Sequence, residues 1–351
     1  MKLNIWAPGA GSRSEATAYA AEQGEALSAH ASITHVSEAE ANAPPDADLD
    51  LYHLANSAEH GFVYRAALTR PGVALLHQWN LHDLARSQTV DRGDAPSYLR
   101  EMRRAHGEAG AFVAQQIIRG RGGEVWPARY PMNQAILSAS LGVVAPTPFA
   151  TARAALQVRG LPVMELPRHV SPSLDLLPSR AGARRELGLE DSAFVVTALG
   201  LMTPWGRDIA TEAIARVRSR HPQIALVALD STLHIVAADV VLALRSPDHG
   251  GVPGGVVNAL GLGRATLVTG GTDLAGALPE GVVMSIDPGR GGVDSLEALL
   301  SRLVEDTTLR ESLGRAARAH MVATHDLKTT ARALADFLQN VFEDREGLRR
   351  A

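Results

Sequence analysis

The stretch from Asp239 to Gly270 reads DVVLALRSPDHGGVPGGVVNALGLGRATLVTG, and it decides the fold. Val240 to Leu244 is a short, apolar, β-branched run, which predicts a buried strand. Pro253 suits the first turn of a helix, because its missing N–H needs no partner there. We expect this helix to end near Gly261, before a second buried strand that begins at Ala265. A glycine-rich loop between a parallel strand and a helix N-terminus is typical of a phosphate site.

The same order of strand, loop and helix recurs on both sides of this stretch, which predicts two doubly wound α/β halves. Further strands are predicted at Leu3–Ala7, Leu49–Leu54, Gly72–His77, Gly142–Ala145, Ala193–Leu199, Ile224–Leu229 and Val282–Ile286. A helix is expected from Ser14 to Ser28, with Ser12 or Ser14 as its cap. Prolines between residues 167 and 178 mark a linker between the halves.

Composition excludes several classes of protein. The 351 residues are 46% hydrophobic and 21% charged, which is typical of a globular chain long enough for two domains. The net charge of −4 gives no basic field for nucleic acid. The absence of cysteine excludes disulfides and thiolate metal sites. We find no signal-peptide pattern and no apolar run of the roughly 18 residues that a membrane span needs, so a cytoplasmic protein is expected.

Polar residues collect where two predicted strands end. Asn56 and His60 follow one strand, and His77, Asn80 and His82 follow the next. Open parallel sheets bind ligands at this edge. A single histidine in such a place is more often structural, whereas several polar residues at adjacent strand ends favour a functional role. Both interpretations stay open on the sequence alone.

Residues 95–122 read as an amphipathic helical region, although Gly107 and Gly110 argue against one straight helix. It carries five arginines, which are Arg100, Arg103, Arg104, Arg119 and Arg121. They form either a solvated basic face or a patch that meets an acidic acceptor or, as a peripheral contact, an anionic membrane surface.

At the level of whole motifs the chain resembles retaining glycosyltransferases of the GT-B fold, of the family-4 type. The segments that carry the likeness are AADVVLALRSPDHGGVPGGVVNALGLGRATLVT (237–269), LPEGVV (278–283), LRESLGRAARAHMVATHD (309–326), ANSAEHGFVYRAALTRPGVALLHQWNLHDL (55–84) and PRHV (167–170). Together they span most of the chain, and the C-terminal segments match more specifically than the N-terminal one.

The resemblance implies two Rossmann-like domains that face a cleft, with a nucleotide-diphosphate sugar as co-substrate, no other cofactor and no metal. Residues 1–168 would form the acceptor-side domain and residues 169–325 a shortened nucleotide-sugar-side domain. Residues 326–351 would form a C-terminal helix that packs back toward the first domain. The acceptor is left open among a saccharide, a lipid-linked sugar and a protein, as is association into an oligomer or with a partner subunit.

The resemblance also implies roles for individual residues. The donor-binding set is Gly11, Ser12, Arg245, Asp248, His249, Gly250, Gly251, Pro253, Gly254 and Gly255. The catalytic set is His77, His82 and Arg207, and the acceptor-binding set is Asn56, His60, Trp79 and Asn80. The family's basic residue beside the donor diphosphate falls on Gly206, so that Arg207, or Arg245, would replace it.

Two departures from the family pattern support an alternative. The glutamate that contacts the donor sugar falls on Gly251 and a second carboxylate on Ala259, with Asp248 and His249 as nearby substitutes. A strand and loop of the family are missing after Ile224–Asp230. The alternative is a catalytically degenerate GT-B protein that acts as a partner subunit or a saccharide-binding module. A third class, another GT-B enzyme such as an epimerase or a phosphorylase, fits the final helices less well.

Overall fold

The computed structural model of the chain describes residues 1–9, 11–12, 14–123, 125–199, 203–228 and 231–350. The chain divides into two compact units. Unit 1 consists of Met1–Pro167, His249–Gly251 and Leu327–Ala351, and unit 2 consists of Arg168–Asp248 and Val252–Asp326.

Unit 1 contains a six-stranded sheet in which every pair of neighbouring strands is parallel. Its strands are β1 (Lys2–Trp6), β2 (Ser32–Val36), β3 (Leu49–Leu54), β4 (Val73–Leu76), β5 (Gly142–Ala145) and β6 (Val163–Glu165). Their spatial order is β2-β1-β3-β4-β5-β6. The helices of this part are α1 (Glu15–Leu27), α2 (Gly61–Thr69), α3 (His82–Gln88), α4 (Ala95–Ile118), α5 (Val125–Arg129), α6 (Gln134–Ala139) and α7 (Pro148–Gln157). Short 3-10 turns lie at Ala58–His60 and Val90–Arg92.

The central strands of unit 1 are buried on both faces, so most of their residues are apolar, and β4, with VALL, is wholly apolar. Leu51 of β3 belongs to a core cluster that also contains Tyr19 of α1. Its neighbours Tyr52 and Leu54 belong to a second cluster, together with Phe62 of α2. Successive residues of one strand therefore supply two separate cores, as the two-residue period of a strand requires.

Gly107 interrupts helix α4. Its φ of 65° and ψ of −154° are not helical, so α4 consists of two helical segments joined at this glycine. This confirms the prediction that residues 95–122 do not form one straight helix. The five arginines of the region are all exposed, and Arg103 is paired with Glu108 at 2.9 Å.

Unit 2 contains a five-stranded parallel sheet in the order β11-β10-β9-β7-β8. Its strands are β7 (Phe194–Ala198), β8 (Ile224–Ala228), β9 (Val240–Ala243), β10 (Ala265–Thr269) and β11 (Met284–Ile286). Its helices are α8 (Arg180–Glu186), α9 (Pro204–Arg218), α10 (Thr232–Ala237), α11 (Gly254–Gly261), α12 (Asp273–Gly276), α13 (Gly292–Glu305) and α14 (Thr307–Thr324), and a 3-10 turn lies at Pro172–Leu176.

The predicted fold class is confirmed: both units are doubly wound parallel α/β structures. Between β8 and β9 the described residues form only α10, so the short connection predicted from the sequence is present. The last helix, α15 (Leu327–Arg350), belongs to unit 1 and packs against α1. Strand β2 was not predicted, and Leu229, the predicted end of β8, lies outside the described residues.

Candidate functional site

Each sheet has one place where the strand order reverses. In unit 1 this switch point lies between β1 and β3, and in unit 2 it lies between β7 and β9. In open parallel sheets, helices leave a switch point toward opposite faces and leave a crevice outside the carboxyl ends of the two strands, where ligands bind. The segments that follow these four strands are therefore the candidate site.

Thr203 joins the two segments at the switch point of unit 2. Its Oγ1 accepts a hydrogen bond from the backbone N–H of Gly206 at 3.3 Å, which caps helix α9. It also accepts from the N–H of Ser246 at 3.2 Å, in the loop after β9. The backbone N–H of the preceding residue, Arg245, donates to Oγ1 of Thr269 at 2.9 Å. Hydroxyls from two flanking segments thus fix the start of the loop that carries most of the predicted donor-binding residues.

Asp248 holds the middle of this loop to another helix. Its Oδ2 accepts from the backbone N–H of Asp273, the first residue of α12, at 2.7 Å. The following residue, His249, belongs to unit 1. The two residues that the sequence offered as substitutes for the missing carboxylate are therefore members of different units, and Asp248 already serves a helix terminus.

The glycine-rich segment after the loop begins α11. Pro253 is the N-cap of α11, one residue before the first turn in which the sequence placed it. The carbonyl oxygen of Pro253 accepts from the N–H groups of Val256 and Val257. Gly254 is buried, and a Cβ atom on Gly255 would meet the side chain of Leu199 at 3.3 Å. The helix starts at the carboxyl edge of the sheet, where its positive end favours an anion.

Two glycines occupy positions where the resemblance implies charged side chains, and neither has room for one. A Cβ atom on Gly206 would lie 2.3 Å from the carbonyl oxygen of Leu244. A Cβ atom on Gly251 would lie 2.8 Å from the carbonyl oxygen of His77, and its φ of 119° disfavours any side chain. The cations left near the switch point are the exposed Arg207, in the first turn of α9, and the half-buried Arg245.

The segment His249–Gly251 is bonded to the loop after β4. The backbone N–H of Trp79 donates to the carbonyl of Gly250 at 3.2 Å, and that of Asn80 donates to the carbonyl of His249 at 3.1 Å. Gly250, with a φ of 70°, and Gly251 provide the left-handed backbone that this approach needs. The backbone conformation therefore requires glycine at both positions, whether or not a ligand binds nearby.

Serine and histidine side chains meet at the switch point of unit 1. Ser12 Oγ donates to the carboxylate of Glu59 and accepts from the N–H of Ser14 at 3.0 Å. Ser14 caps α1 and lies 3.1 Å from Nε2 of His60. Gly11, also predicted to bind the donor, is exposed, and a Cβ atom added there would meet nothing within 4 Å. Ser14 was predicted only as a helix cap, and Glu59 was not predicted to have a role. The serines after β1 and the acidic residue after β3 are the sequence signal that could have indicated this contact.

His60 is fully buried, and both of its ring nitrogens have partners. Its Nδ1 donates to the carbonyl oxygen of His53 at 2.8 Å, so its Nε2 accepts from the hydroxyl of Ser14. Burial lowers the pKa of His60, which keeps the ring neutral and fits this tautomer. The acceptor-binding role predicted for His60 has no support from these surroundings.

His77 is the one predicted histidine after β4 that keeps partial exposure. Its Nε2 lies 3.2 Å from Nδ1 of the buried His53, and the ring of Tyr19 meets it edge-on at 5.2 Å. His53 and Tyr19 were not predicted as site residues. They hold the imidazole of His77 in one orientation at the carboxyl end of the sheet, next to the switch point of unit 1.

His82 has the surroundings of a structural residue. Its side chain is fully buried, its Nδ1 donates to the carbonyl oxygen of Tyr130 at 2.6 Å, and its Nε2 accepts from the hydroxyl of Tyr98 at 2.6 Å. Burial lowers its pKa, so the ring stays neutral. No ring nitrogen is left for a substrate, so the catalytic role predicted for His82 finds no support here.

The two asparagines of the predicted acceptor set have internal hydrogen-bond partners, and Trp79 is buried. Asn56 accepts from the N–H of Leu84 at 2.9 Å and donates to Asp83 at 3.0 Å, so it caps α3 from another segment. Asn80 accepts from the N–H of His82 at 2.9 Å and donates to the carbonyl of Pro127. Trp79 is 3% exposed and its ring lies in the core. These side chains stabilise loops and leave little polar surface to a ligand.

Among the described residues, no group of three or more His, Asp or Glu side chains is placed to hold a metal ion. Among the same residues, no helix combines the length and apolar character that crossing a membrane would require.

Comparison with known proteins shows the fold class. No family model matches the chain, and no curated protein matches its sequence. Among solved structures, HepE of Anabaena with UDP and glucose has a TM-score of 0.60 and 15% identity, covering 97% of this chain and 100% of HepE. The sucrose-phosphate synthase of Thermosynechococcus elongatus has a TM-score of 0.61 and 12% identity, and the match covers 98% of this chain and 99% of the synthase. WaaG, a glycosyltransferase involved in lipopolysaccharide biosynthesis, has a TM-score of 0.56 and 13% identity, and the match covers 96% of this chain and 99% of WaaG.

These neighbours are GT-B glycosyltransferases, and the chain has the GT-B fold. At identities of 12 to 15% the likeness concerns the fold alone.

Proposed function

We propose that the chain is a retaining glycosyltransferase of the family-4 type, which moves a sugar from a nucleotide-diphosphate donor to an acceptor hydroxyl. Residues 169–325 would be the donor side and residues 1–168 the acceptor side, with the helix of residues 326–351 packing on the latter. The sugar nucleotide is the co-substrate, and no metal or further cofactor takes part.

The observation that carries the proposal is the organisation of the unit 2 switch point. Thr203 binds the segments after β7 and β9 together, and α11 starts with two glycines at the same edge of the sheet. Such an edge offers backbone N–H groups and the positive end of a helix to a diphosphate. HepE, a protein of the same fold, has been solved with UDP and glucose.

The chemistry that this edge would supply is stabilisation of a leaving group. When the glycosidic bond to the donor breaks, negative charge grows on the departing diphosphate. Arg207 and Arg245 would neutralise this charge, and the first turn of α11 would add its dipole. On the acceptor side we assign the catalytic role to His77 alone, because the rings of His53 and Tyr19 orient it while part of it stays exposed.

Calorimetric titration of the full chain with UDP, GDP, dTDP and ADP tests the donor site. We expect one of these nucleotides to bind, and the corresponding sugar nucleotide to release it during turnover. Arg207→Ala should lower kcat by about 100-fold, as loss of one transition-state contact does. Arg315→Ala, which changes an exposed arginine on α14, is the matched control and should keep full activity. No binding of any of the four nucleotides at millimolar concentration would remove the proposal.

A second candidate function is a non-catalytic GT-B protein that serves as a partner subunit or a saccharide-binding module. The tight backbone contacts of Gly206 and Gly251 favour it, because they exclude the two charged side chains that the family pattern has at these positions. It predicts ligand binding without turnover of any sugar nucleotide. Turnover by the purified chain, abolished by Arg207→Ala, contradicts it.

A further inference from the structure

Residues 109–123 and 125–130 of unit 1 combine exposed apolar side chains with arginines. They form the second segment of α4, the turn after it and α5. Of the eight large apolar side chains that are exposed in the described part of the chain, three lie here, and they are Phe112, Ile118 and Val125, at 59%, 37% and 54% exposure. Single exposed apolar residues are common on protein surfaces, whereas a group of them indicates contact with another molecule.

Phe112 lies on the side of α4 that faces away from the core. In the helical segment after Gly107, the side chains of Val113 and Ala114 are buried in the core of unit 1. Seven residues make about two helical turns, so Phe112 and Arg119 share the face opposite to these two. Both are exposed. The outer face of this segment therefore combines an aromatic ring with a cation.

The chain reverses after α4 and presents a second pair of the same kind. Gly120, with a φ of 72°, allows the backbone N–H of Arg121 to donate back to the carbonyl oxygen of Gln116 at 2.9 Å. In α5, Val125 and Arg129 are four residues apart and both exposed, so they share one outward face. An apolar side chain is again accompanied by an arginine.

The inner side of α5 is fixed to the rest of unit 1. The carbonyl oxygen of Pro127 accepts from the side chain of Asn80, and that of Tyr130 accepts from Nδ1 of His82 at 2.6 Å. The ring of Trp126 packs against the core. The outward face of α5 is therefore held toward solvent by contacts on its opposite side.

The charge of this stretch is opposite in sign to that of the whole chain. Residues 109–130 contain three arginines, Arg119, Arg121 and Arg129, and a single acidic residue, Glu124, whereas the whole chain has a net charge of −4. The preceding carboxylate, Glu108, is paired with an arginine outside the stretch at 2.9 Å. None of the ion pairs among the described residues includes one of the three arginines.

We propose that the outer surface of residues 109–123 and 125–130 docks on an anionic lipid membrane. Phe112, Ile118 and Val125 enter the boundary between headgroups and acyl chains, and the three arginines meet the lipid phosphates. Charge favours this occupant over a second copy of the chain, because a two-fold contact sets the same arginines against each other. The proposal does not depend on the proposed function.

The distribution of the side chains favours lipid over an acidic protein. Protein interfaces have a continuous apolar centre with charges at the rim. Here Arg119 and Arg121 lie between Ile118 and Val125, so charge interrupts the apolar group. A fluid lipid surface surrounds each side chain separately and accepts this mixture of apolar residues and cations.

Co-sedimentation of the full chain with phosphatidylcholine vesicles, with and without phosphatidylglycerol, tests this surface. We expect binding to the anionic vesicles that weakens as the sodium chloride concentration rises. Arg119→Gln combined with Arg121→Gln should weaken this binding about 25-fold, since each cation near an anionic surface contributes about 1 kcal/mol, or about fivefold. Arg315→Gln, which changes an exposed arginine on α14, is the control and should bind as the unmodified chain does.

The apolar contribution is measured separately. Phe112→Ser should weaken binding to anionic vesicles about tenfold, because the ring no longer leaves water. Leu176→Ser is the control, since Leu176 is 87% exposed in unit 2 and should make no lipid contact. In Phe112→Trp, acyl chains that carry bromine should quench more of the tryptophan emission than in the unmodified chain, and in Leu176→Trp they should not.

Several outcomes overturn the proposal. They are absence of binding to anionic vesicles, equal binding to neutral and anionic vesicles, unchanged binding in the double arginine variant or in Phe112→Ser, and no added quenching in Phe112→Trp. Binding of polyglutamate without binding of vesicles also overturns it, and assigns the surface to an acidic protein. None of these measurements requires turnover of a sugar nucleotide.

Discussion

The backbone of Gly251 lies against the carbonyl oxygen of His77, so that a Cβ atom on Gly251 would stand only 2.8 Å from that oxygen. Two backbone hydrogen bonds from residues 79 and 80 to the neighbouring residues of the same segment hold this approach in place. The position where the family pattern has a glutamate is therefore closed to any side chain. Under the proposed function, another group than residue 251 would have to contact the donor sugar.

Substitution of Gly251 should cost more stability than substitution of a glycine that has space. Gly271 is the matched control, since its φ is 69° and nothing lies within 4 Å of its Cβ position. We expect Gly271→Ala to lower the free energy of unfolding by about 1–2 kcal/mol, the cost of a left-handed backbone. Gly251→Ala adds a collision with backbone atoms and should cost about 3 kcal/mol or more. Urea unfolding of both variants checks this, and equal losses would contradict the contact.

Ser14→Ala should destabilise unit 1 through two groups at once. The change removes the cap of α1, worth about 1 kcal/mol, and leaves Nε2 of the buried His60 without its donor, worth about 1–3 kcal/mol. Ser179→Ala is the control, because Ser179 caps α8 and bonds no histidine. The loss in the Ser14 variant should exceed that in the Ser179 variant, measured by urea unfolding. An equal loss would mean that the bond to His60 contributes nothing.

The fold could be predicted from the sequence because its central strands are buried on both faces. β4, with the residues VALL, and β9, with VVLA, are fully buried and read as apolar runs. β2, with SITHV, was missed because it lies at the edge of its sheet, where only Val36 is buried and the polar side chains face solvent. β2 is recognised as a strand only by its pairing with β1, because its composition does not distinguish it from a loop.

The candidate site was harder to predict, because sequence does not distinguish a histidine that faces a ligand from one that faces its own protein. His60, His77 and His82 follow strand ends in the same way, yet two are buried with both nitrogens bonded and one keeps exposure. The pairing of arginines with Asp239 had no local signal either. Arg180 and Arg310 are far apart in the chain, and only the packing of sheet and helices brings both to Asp239.

Thr203→Val should weaken nucleotide binding as well as lower stability. Valine keeps the shape of the side chain but removes the oxygen that accepts from Gly206 and from Ser246, so α9 loses its cap and the loop after β9 loses a restraint. We expect a loss of about 1–2 kcal/mol in unfolding free energy. The Kd of the nucleotide should rise by about tenfold, since a mobile loop must be ordered on binding.

The control for this change is Thr147→Val, which removes the cap of α7 in unit 1. It should lower stability by a similar amount and leave the Kd for the nucleotide unchanged. If both variants weaken nucleotide binding equally, the effect reports general destabilisation rather than the loop.

Stability should fall as the pH drops below about 6.5, because burial lowers the pKa of His60 and His82. The unfolded chain takes up protons near the ordinary histidine pKa of about 6.5, while the folded chain keeps these rings neutral to lower pH. Protonation therefore favours the unfolded state, and the contribution of each ring is complete above that value. Each histidine accounts for at most about 1.4 kcal/mol per pH unit in the window below it.

Urea unfolding at pH 8, 6.5 and 5 measures this slope. His82→Gln should lower stability at pH 8, since the partners Tyr98 and Tyr130 lose a matched ring, and should reduce the slope below pH 6.5. His30→Gln, at an exposed position, should change neither. An unchanged slope in the His82 variant would contradict the buried neutral ring.

Asp239→Asn should be among the most destabilising substitutions in unit 2. The carboxylate of Asp239 is 8% exposed and is paired with Arg180, Arg184 and Arg310, so its removal leaves the buried Arg184 without its counter-charge, at a cost of about 3–5 kcal/mol. Urea unfolding of the variant and of the unmodified chain measures this loss. A loss below about 1 kcal/mol, the value of an exposed ion pair, would contradict the buried pairing.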